Sequence, residues 1–290
     1  MKAFVRPGDV NDIDKICTLL HTKMNPRIPL ERWYNLMTYA WTDDKPDFGR
    51  VVESGNEVLG YCGMVYADRI LGTGDNKRKE RVVSMSSWYL DKSLRGQGLG
   101  RAMLVDCTSD SNLTYATLTN SRKPLHIQET IGFKVLEDHR YVWRRQADAD
   151  SALQIISDVE AIKARVDKDQ LKILEDMASL PLTPILMLAA GQQTLLLLSI
   201  KRKAAEVTWF DVMHVSDYEH FSAFAQLLAD ALLDRASCVL AADGRFVAGN
   251  PTTAIVEKLP VPRFYHSHRL EPSEVDNIYS ELQLLDLKLD

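Results

Sequence analysis

The stretch SLRGQGLGRAML, residues 93–104, sets three glycines at alternate positions, Gly96, Gly98 and Gly100, between Arg95 and Arg101. Glycine loses more backbone entropy on folding than any other residue, so this density signals a sharp bend or a close approach to the main chain. RVVSMSSWYL, residues 81–90, comes before it and reads as a strand; an apolar run at helical spacing, GRAMLVDC, continues from Gly100. A strand passing through a glycine turn into a helix start is, in physical terms, a phosphate cradle. The first helical amides lack intrahelical partners, and the helix dipole adds partial positive charge there. The spacing excludes two common phosphate loops. A Walker loop ends in Gly-Lys-Ser/Thr, and a dinucleotide fingerprint reads G-x-G-x-x-G, whereas this segment reads G-x-G-x-G and ends in arginine.

The neighbouring elements supply the context. KAFVRPG reads as a strand, and helices follow at DIDKICTLLHTKM and from Pro29 through PLERWYNLMTYAW. FGRVVES and EVLGYCGMVYADRIL form a hairpin about Ser54-Gly55-Asn56. After the glycine segment come strand NLTYATLTN, a helix opening near Pro124 and strand FKVLEDHRYVW. This order implies an α/β layer fold around a central mixed sheet, with helices and strands intermingled in α+β fashion.

The segment resembles the acyl-CoA pyrophosphate loop of the GNAT acyltransferase superfamily. Arg95, Gly98 and Gly100 fill that family's Arg/Gln-x-x-Gly-x-Gly/Ala pattern, and ETIGF at 129–133 is similar to its later Gly-Phe signature. The resemblance covers about residues 1–145. It implies that amides from Gly96, Gln97, Gly98, Leu99, Gly100 and Arg101 hold a CoA diphosphate, with Arg95 beside them. It also implies that the strand edge at Trp88, Tyr89 and Leu90 pairs with the pantetheine arm. Asn120 falls where the family contacts the cofactor; a helix-capping Asn is the alternative reading.

Catalytic residues are less legible. Transfer from a thioester needs a neutral nucleophile, an oxyanion site and a proton for the leaving thiolate. Many relatives place a carboxylate on the strand before the loop and a tyrosine four residues ahead of the Gly-Phe. Here the strand offers Ser84, Ser86 and Ser87, with Glu80 at its entrance, and the tyrosine position is Gln128. The catalytic candidates are therefore Glu80 as base and His126 as acid. Aromatics Trp33, Tyr34, Tyr39 and Trp41 on the second helix suit either a core or an acceptor cleft.

At 290 residues the chain calls for two domains. WRRQADAD marks a boundary, giving a GNAT-like acyl-CoA-binding domain at 1–146 and a second domain at 147–290. SALQIISDVEAIKARV and KDQLKILEDMASL read as helices in that second half. A shift of 125 positions lays strand 82–90 on 207–215, helix 99–107 on 224–232 and strand 112–118 on 237–243. The second half is thus expected to be a GNAT-like repeat; EHFSAFA, 219–225, replaces its glycine loop.

Residues 1–146 carry a net charge of +4 and residues 147–290 a net charge of −9. The basic half suits an anionic ligand, and the acidic half argues against nucleic acid. LPLTPILMLAAGQQTLLLLSI, 180–200, is broken by prolines and a Gln-Gln pair, and reads as a loop feeding a buried strand rather than a membrane span. The start lacks a signal-peptide core, and four scattered cysteines form no metal or disulfide pattern. The expectation is a cytoplasmic acyltransferase without a metal. It would move an acetyl or short acyl group from acyl-CoA, acetyl-CoA first, to an amine or hydroxyl of a small-molecule or peptide acceptor. The alternative is a CoA-binding sensor or scaffold without turnover. Whether the protein is a homodimer stays open.

Overall fold

A long strand does enter the glycine turn, and a helix leaves it. The computed structural model describes residues 2–72, 74–121, 125–203, 206–234 and 237–289. The chain divides into two units. The first comprises Met1–Leu136, Arg263–Val275 and Tyr279–Leu287; the second comprises Glu137–Pro262, Asp276–Ile278 and Lys288–Asp290. The expected boundary at 146/147 therefore falls inside the second unit, and two segments near the C-terminus, 263–275 and 279–287, belong to the first. Only spatial contact could reveal that return.

In the first unit the order is β1 (Phe4–Pro7), α1 (Ile13–Leu19), α2 (Leu30–Thr38), β2 (Gly49–Ser54), β3 (Glu57–Leu71) and β4 (Arg78–Leu90). Then follow α3 (Leu99–Cys107), β5 (Thr114–Thr117) and α4 (Leu125–Thr130). The helix expected to open at Pro124 is α4; Pro124 itself lies outside the described residues. β1 to β4 pair antiparallel in sequence order, and β4 pairs parallel with β5. A parallel pair needs a crossover, which α3 supplies. Met103, Leu104 and Cys107 on one face of α3 pack into a core with Val83, Met85 and Tyr115. Truncating such a buried side chain costs about 2–5 kcal/mol.

The second unit takes in most of β6 (Lys134–Trp143), then β7 (Leu153–Ile156), α5 (Val159–Lys163), α6 (Lys168–Met177), β8 (Thr183–Ala189) and β9 (Gln192–Arg202). It continues with β10 (Thr208–Val215), α7 (Tyr218–Leu232) and β11 (Cys238–Asp243). β12 (Ile255–His266) starts in this unit and finishes in the first, where α8 (Glu281–Leu284) also lies. β7 to β10 pair antiparallel in sequence order, and β10 runs parallel to β11 across α7. These are the pairings of β1 to β5 repeated. The next strand also corresponds: residues 264–266 pair antiparallel with β5, and β6 pairs antiparallel with β11.

Three local expectations change. Residues 153–156 are a strand, because Leu153 to Ile156 pair with β8 and the helix begins only where Asp158 caps the Ala161 amide. Residues 183–189 are a strand and not a loop; Ala190 and Gly191, both at positive φ, turn it tightly into β9. Finally, α2 ends at Thr38, so Tyr39 and Trp41 are not helical. The Tyr39 hydroxyl accepts from the Tyr66 amide at 2.9 Å, and Trp41 Nε1 donates to the Tyr66 carbonyl at 2.8 Å. Both rings are committed to β3. Among the described residues, no helix is long and apolar enough to cross a membrane.

Candidate functional site

The β4–β5 ladder is short. Val82, Val83 and Ser84 pair with Thr114, Tyr115 and Ala116, and pairing stops there while β4 runs on to Leu90. Tyr61 pairs with Tyr89 and Gly63 with Ser86, so Ser87 and Trp88 together oppose Cys62. This is a β-bulge, and Ser87 sits at φ +54° within it. A fork opens where the two strands part. Its β4 arm, Met85 to Leu90, has no β5 partner, which leaves main-chain groups for an extended, amide-bearing ligand.

At the far end of that arm, Gly96 and Gly98 both adopt φ +80°. A Cβ added at either would meet nothing within 4 Å. The glycines therefore serve backbone conformation and access, and tight packing does not explain them. Gly98 caps α3 without a side chain, and the first helical bond runs from the Ala102 amide to Gly98 O at 2.9 Å. The amides of Leu99, Gly100 and Arg101 accordingly have no partner within the helix. Arg101 is exposed. Arg95 and Gln97 brace the turn: Arg95 Nε donates to Leu90 O at 3.0 Å, and Gln97 Nε2 donates to Ser93 O at 3.1 Å.

The fork opens into a cleft of about 280 Å³. β4 contributes Ser86, Ser87 and Trp88, and α2 contributes Trp33. The opposite wall holds Asn120 and Gln128, which form a chain. Gln128 Nε2 donates to Asn120 Oδ1 at 3.1 Å, and Asn120 Nδ2 donates to Thr117 O and Oγ1 at 3.3 and 3.1 Å. Gln128 Oε1 and Ser86 Oγ are buried with no protein partner among the described residues. A buried acceptor without a donor costs about 1–3 kcal/mol, which a ligand N–H would recover.

Glu281 lines the same cleft at 1% exposure. Its two carboxylate oxygens accept from Ser84 Oγ at 2.5 Å and Thr119 Oγ1 at 2.7 Å, one hydroxyl from each side of the fork. Burial pushes its carboxyl above the usual range, against the opposing pull of both hydroxyls and Arg263. Sequence reasoning missed it, because residues 279–287 reach the first unit only through the fold. The one local signal was a capping box, Ser280 with Gln283, which announces a short helix and nothing more.

The two catalytic candidates from sequence are placed elsewhere. His126 is exposed on α4, on a different face from Gln128, and does not line the cleft. Glu80 sits at the entrance of β4, bound by Arg269 at 2.6 and 2.8 Å, which holds its carboxyl below the usual range. It too is absent from the cleft wall, because six residues of extended chain separate it from Ser86, about 20 Å at 3.3 Å per residue.

In the second unit the corresponding features are filled by the protein itself. β10 carries a bulge between Val212 and His214. There the Asn277 amide donates to Met213 O at 3.3 Å, and the Asn277 side chain donates to Asp243 at 2.8 Å. The start of α7 is capped by Asp217, whose carboxylate accepts from the His220 amide at 2.9 Å. A carboxylate thus stands at this helix end where the first unit has open glycines. Among the described residues, Glu137, Asp138 and His139 bring potential metal ligands within 4.8 Å of one another. The Glu137 carboxylate, however, is engaged by the amides of Asp138, His139 and Arg245.

Residues 13–108 match the family model of the acetyltransferase (GNAT) family. No curated protein matches the chain in sequence. Among solved structures, a GCN5-related N-acetyltransferase from Anabaena variabilis superposes with a TM-score of 0.57 at 8% identity, over 91% of this chain and 72% of that one. A probable N-acyltransferase of unknown function from Enterococcus faecalis gives 0.58 at 12% identity, over 94% and 74%. Eis1 from Mycobacterium abscessus gives 0.51 at 11%, over 92% and 73%. Residues 13–108 of the first unit thus match the GNAT acetyltransferase family model, and the chain as a whole has a mixed α/β fold like that of these GNAT structures.

Proposed function

We propose that the first unit binds acyl-CoA and transfers its acyl group directly to an amine or hydroxyl of a small-molecule or peptide acceptor. The observation that carries this reading is the fork between β4 and β5, which leads from an open glycine turn to a cleft of mixed polar and apolar lining. Amides of Gly96 to Arg101 hold the diphosphate at the α3 N-terminus. The edge at Trp88, Tyr89 and Leu90 pairs with the pantetheine amides. Asn120 positions Gln128, whose free Oε1 accepts one pantetheine N–H. The bulge at Ser87 frees backbone donors to polarise the thioester carbonyl. Holding an amine against a thioester already supplies a large share of the acceleration. The second unit keeps the architecture as a GNAT-like domain without a cofactor loop, its slot taken by residues 276–278. The four cysteines are buried and, among the described residues, none is in a disulfide, in keeping with a cytoplasmic protein.

Calorimetry tests the cofactor. Acetyl-CoA and CoA should bind, and a Gly98→Glu, Gly100→Glu variant should lose that binding. Binding of ATP or NAD in place of CoA would end the reading. One observation favours the sensor alternative: no tyrosine or histidine is among the described residues lining the cleft. Tight acetyl-CoA binding with no thiol release across amines and alcohols would select it.

A further inference from the structure

The cleft contains one group that could take up a proton and that the cofactor reading leaves unused. Among its described lining residues, Glu281 is the one carboxylate. Cys62, the other ionisable lining group, packs in the apolar core of the first unit. Glu281 stands at the base of the fork, between Ser84 at the last β4–β5 pair and Thr119 just beyond β5. That is where an acceptor would meet a thioester laid along β4. The other walls are mixed: Ser86, Ser87, Asn120 and Gln128 are polar, and Trp33, Met85, Trp88 and Leu285 offer apolar surface.

We propose that Glu281 is the proton acceptor of the transfer, and that the acceptor substrate is a primary amine on an apolar stem. This rests on the acyl-CoA reading above. The bound ammonium first passes one proton through Glu281 to solvent. As the neutral nitrogen then bonds to the thioester carbonyl carbon, it becomes cationic and passes a second proton to the Glu281 carboxylate. The C–S bond then breaks, the thiolate takes a proton from solvent, and Glu281 returns its own proton to solvent. Amine and thioester become amide and thiol, with no other reagent.

The environment suits the task. A carboxyl whose ionisation is shifted upward toward working pH is a stronger base than an exposed one. The charged groups on the elements packed against α8 are few or already engaged. Arg263 on β12 attracts the carboxylate. Arg32 on α2 pairs with Asp286, and Glu31 is exposed. On β4, Arg78 and Glu80 pair with Glu274 and Arg269, and Lys79 and Arg81 pair with Asp68. The one carboxylate of a cleft that also offers apolar side chains favours an amine, which arrives as a cation, over an isosteric alcohol.

A structural clamp is the competing role, since Glu281 also joins the two arms of the fork. Glu281→Gln separates them, because an amide bonds both hydroxyls once they reorient, but cannot take a proton. Thiol release from acetyl-CoA would be followed with 2-phenylethylamine and n-hexylamine, and with 2-phenylethanol and 1-hexanol. The wild type should use the amines and not the alcohols, with kcat rising through one ionisation. Glu281→Gln should lose about 100-fold in kcat, the lower end of general-base effects, and lose that ionisation, while binding CoA as the wild type does. Should that variant not fold, Glu281→Asp keeps a carboxylate in altered surroundings, and its kcat profile should shift along pH. An active Glu281→Gln enzyme, an unshifted Asp profile, preference for the alcohols, or failure of both amines with bound acetyl-CoA would each overturn the proposal. Failure of acetyl-CoA to bind would instead remove the reading beneath it.

Discussion

Gln128 donates its side-chain amide to Asn120 Oδ1 at 3.1 Å, tying α4 to the segment that leaves β5. The bond fixes which way Gln128 faces and leaves its Oε1 buried and unmatched at the cleft. Replacing Gln128 with Leu removes the orphan acceptor together with the tie, so stability should change little. CoA affinity should fall about tenfold, the worth of one hydrogen bond. Calorimetry with CoA reads the difference, and undiminished affinity would take Gln128 out of the cofactor site.

Gly98 holds φ +80° with open space where a Cβ would go. Gly98→Ala should therefore cost about 1 kcal/mol through backbone strain alone. Thermal melts without ligand check this. A loss several times larger would mean that the space is filled in solution.

Glu80, gripped by Arg269, has a folded-state ionisation below its unfolded one. The pair therefore stabilises the fold above the ordinary carboxylate range, and that stabilisation disappears as pH falls below about 4. Glu80→Gln should melt below the wild type at pH 7 and together with it in acid. Its kcat should stay unchanged; a large drop in kcat would restore Glu80 as a catalytic candidate.

Glu281 has the opposite sign. Its folded-state ionisation is raised, so its favourable contribution is complete below about pH 4, the unfolded value, and is lost as pH rises through the folded one. Glu281→Gln should match the wild type near pH 4 and exceed its melting temperature at pH 8. Each kcal/mol of relief is worth about 2–4 °C in a chain of this size. Equal melting temperatures across that range would mean that the burial penalty is already offset.

Asn277 is fully buried, donating to Asp243 and accepting from Arg245. Asn277→Ala removes one hydrogen bond from each of these charged groups, which stay paired with each other, and should cost about 1–3 kcal/mol in denaturant titration. CoA binding should persist, since the first unit holds the open glycines. Loss of CoA binding in the folded variant would assign the second unit a part in the cofactor site.

Much of the fold was legible from local pattern. The glycine turn after a strand, the hairpin at Gly55 and the 125-residue shift between halves all correspond to observed elements. The misreadings came where two periods compete. Leu153 to Ile156 fit a helix face, but pairing with β8 makes them a strand. The readings of Tyr39 and Trp41 failed because a hydrogen bond to β3 took over where helical spacing ran out.

What the chain's order by itself determined was the backbone conformation of the glycine turn and the run of elements around it, because left-handed glycines and helix starts are local properties. The carboxylate side of the cleft was decided only in three dimensions. Glu281 is almost two hundred residues from Ser84 in the chain, and its burial, its two hydroxyl partners and its raised ionisation exist only once the C-terminal segment has packed against the fork.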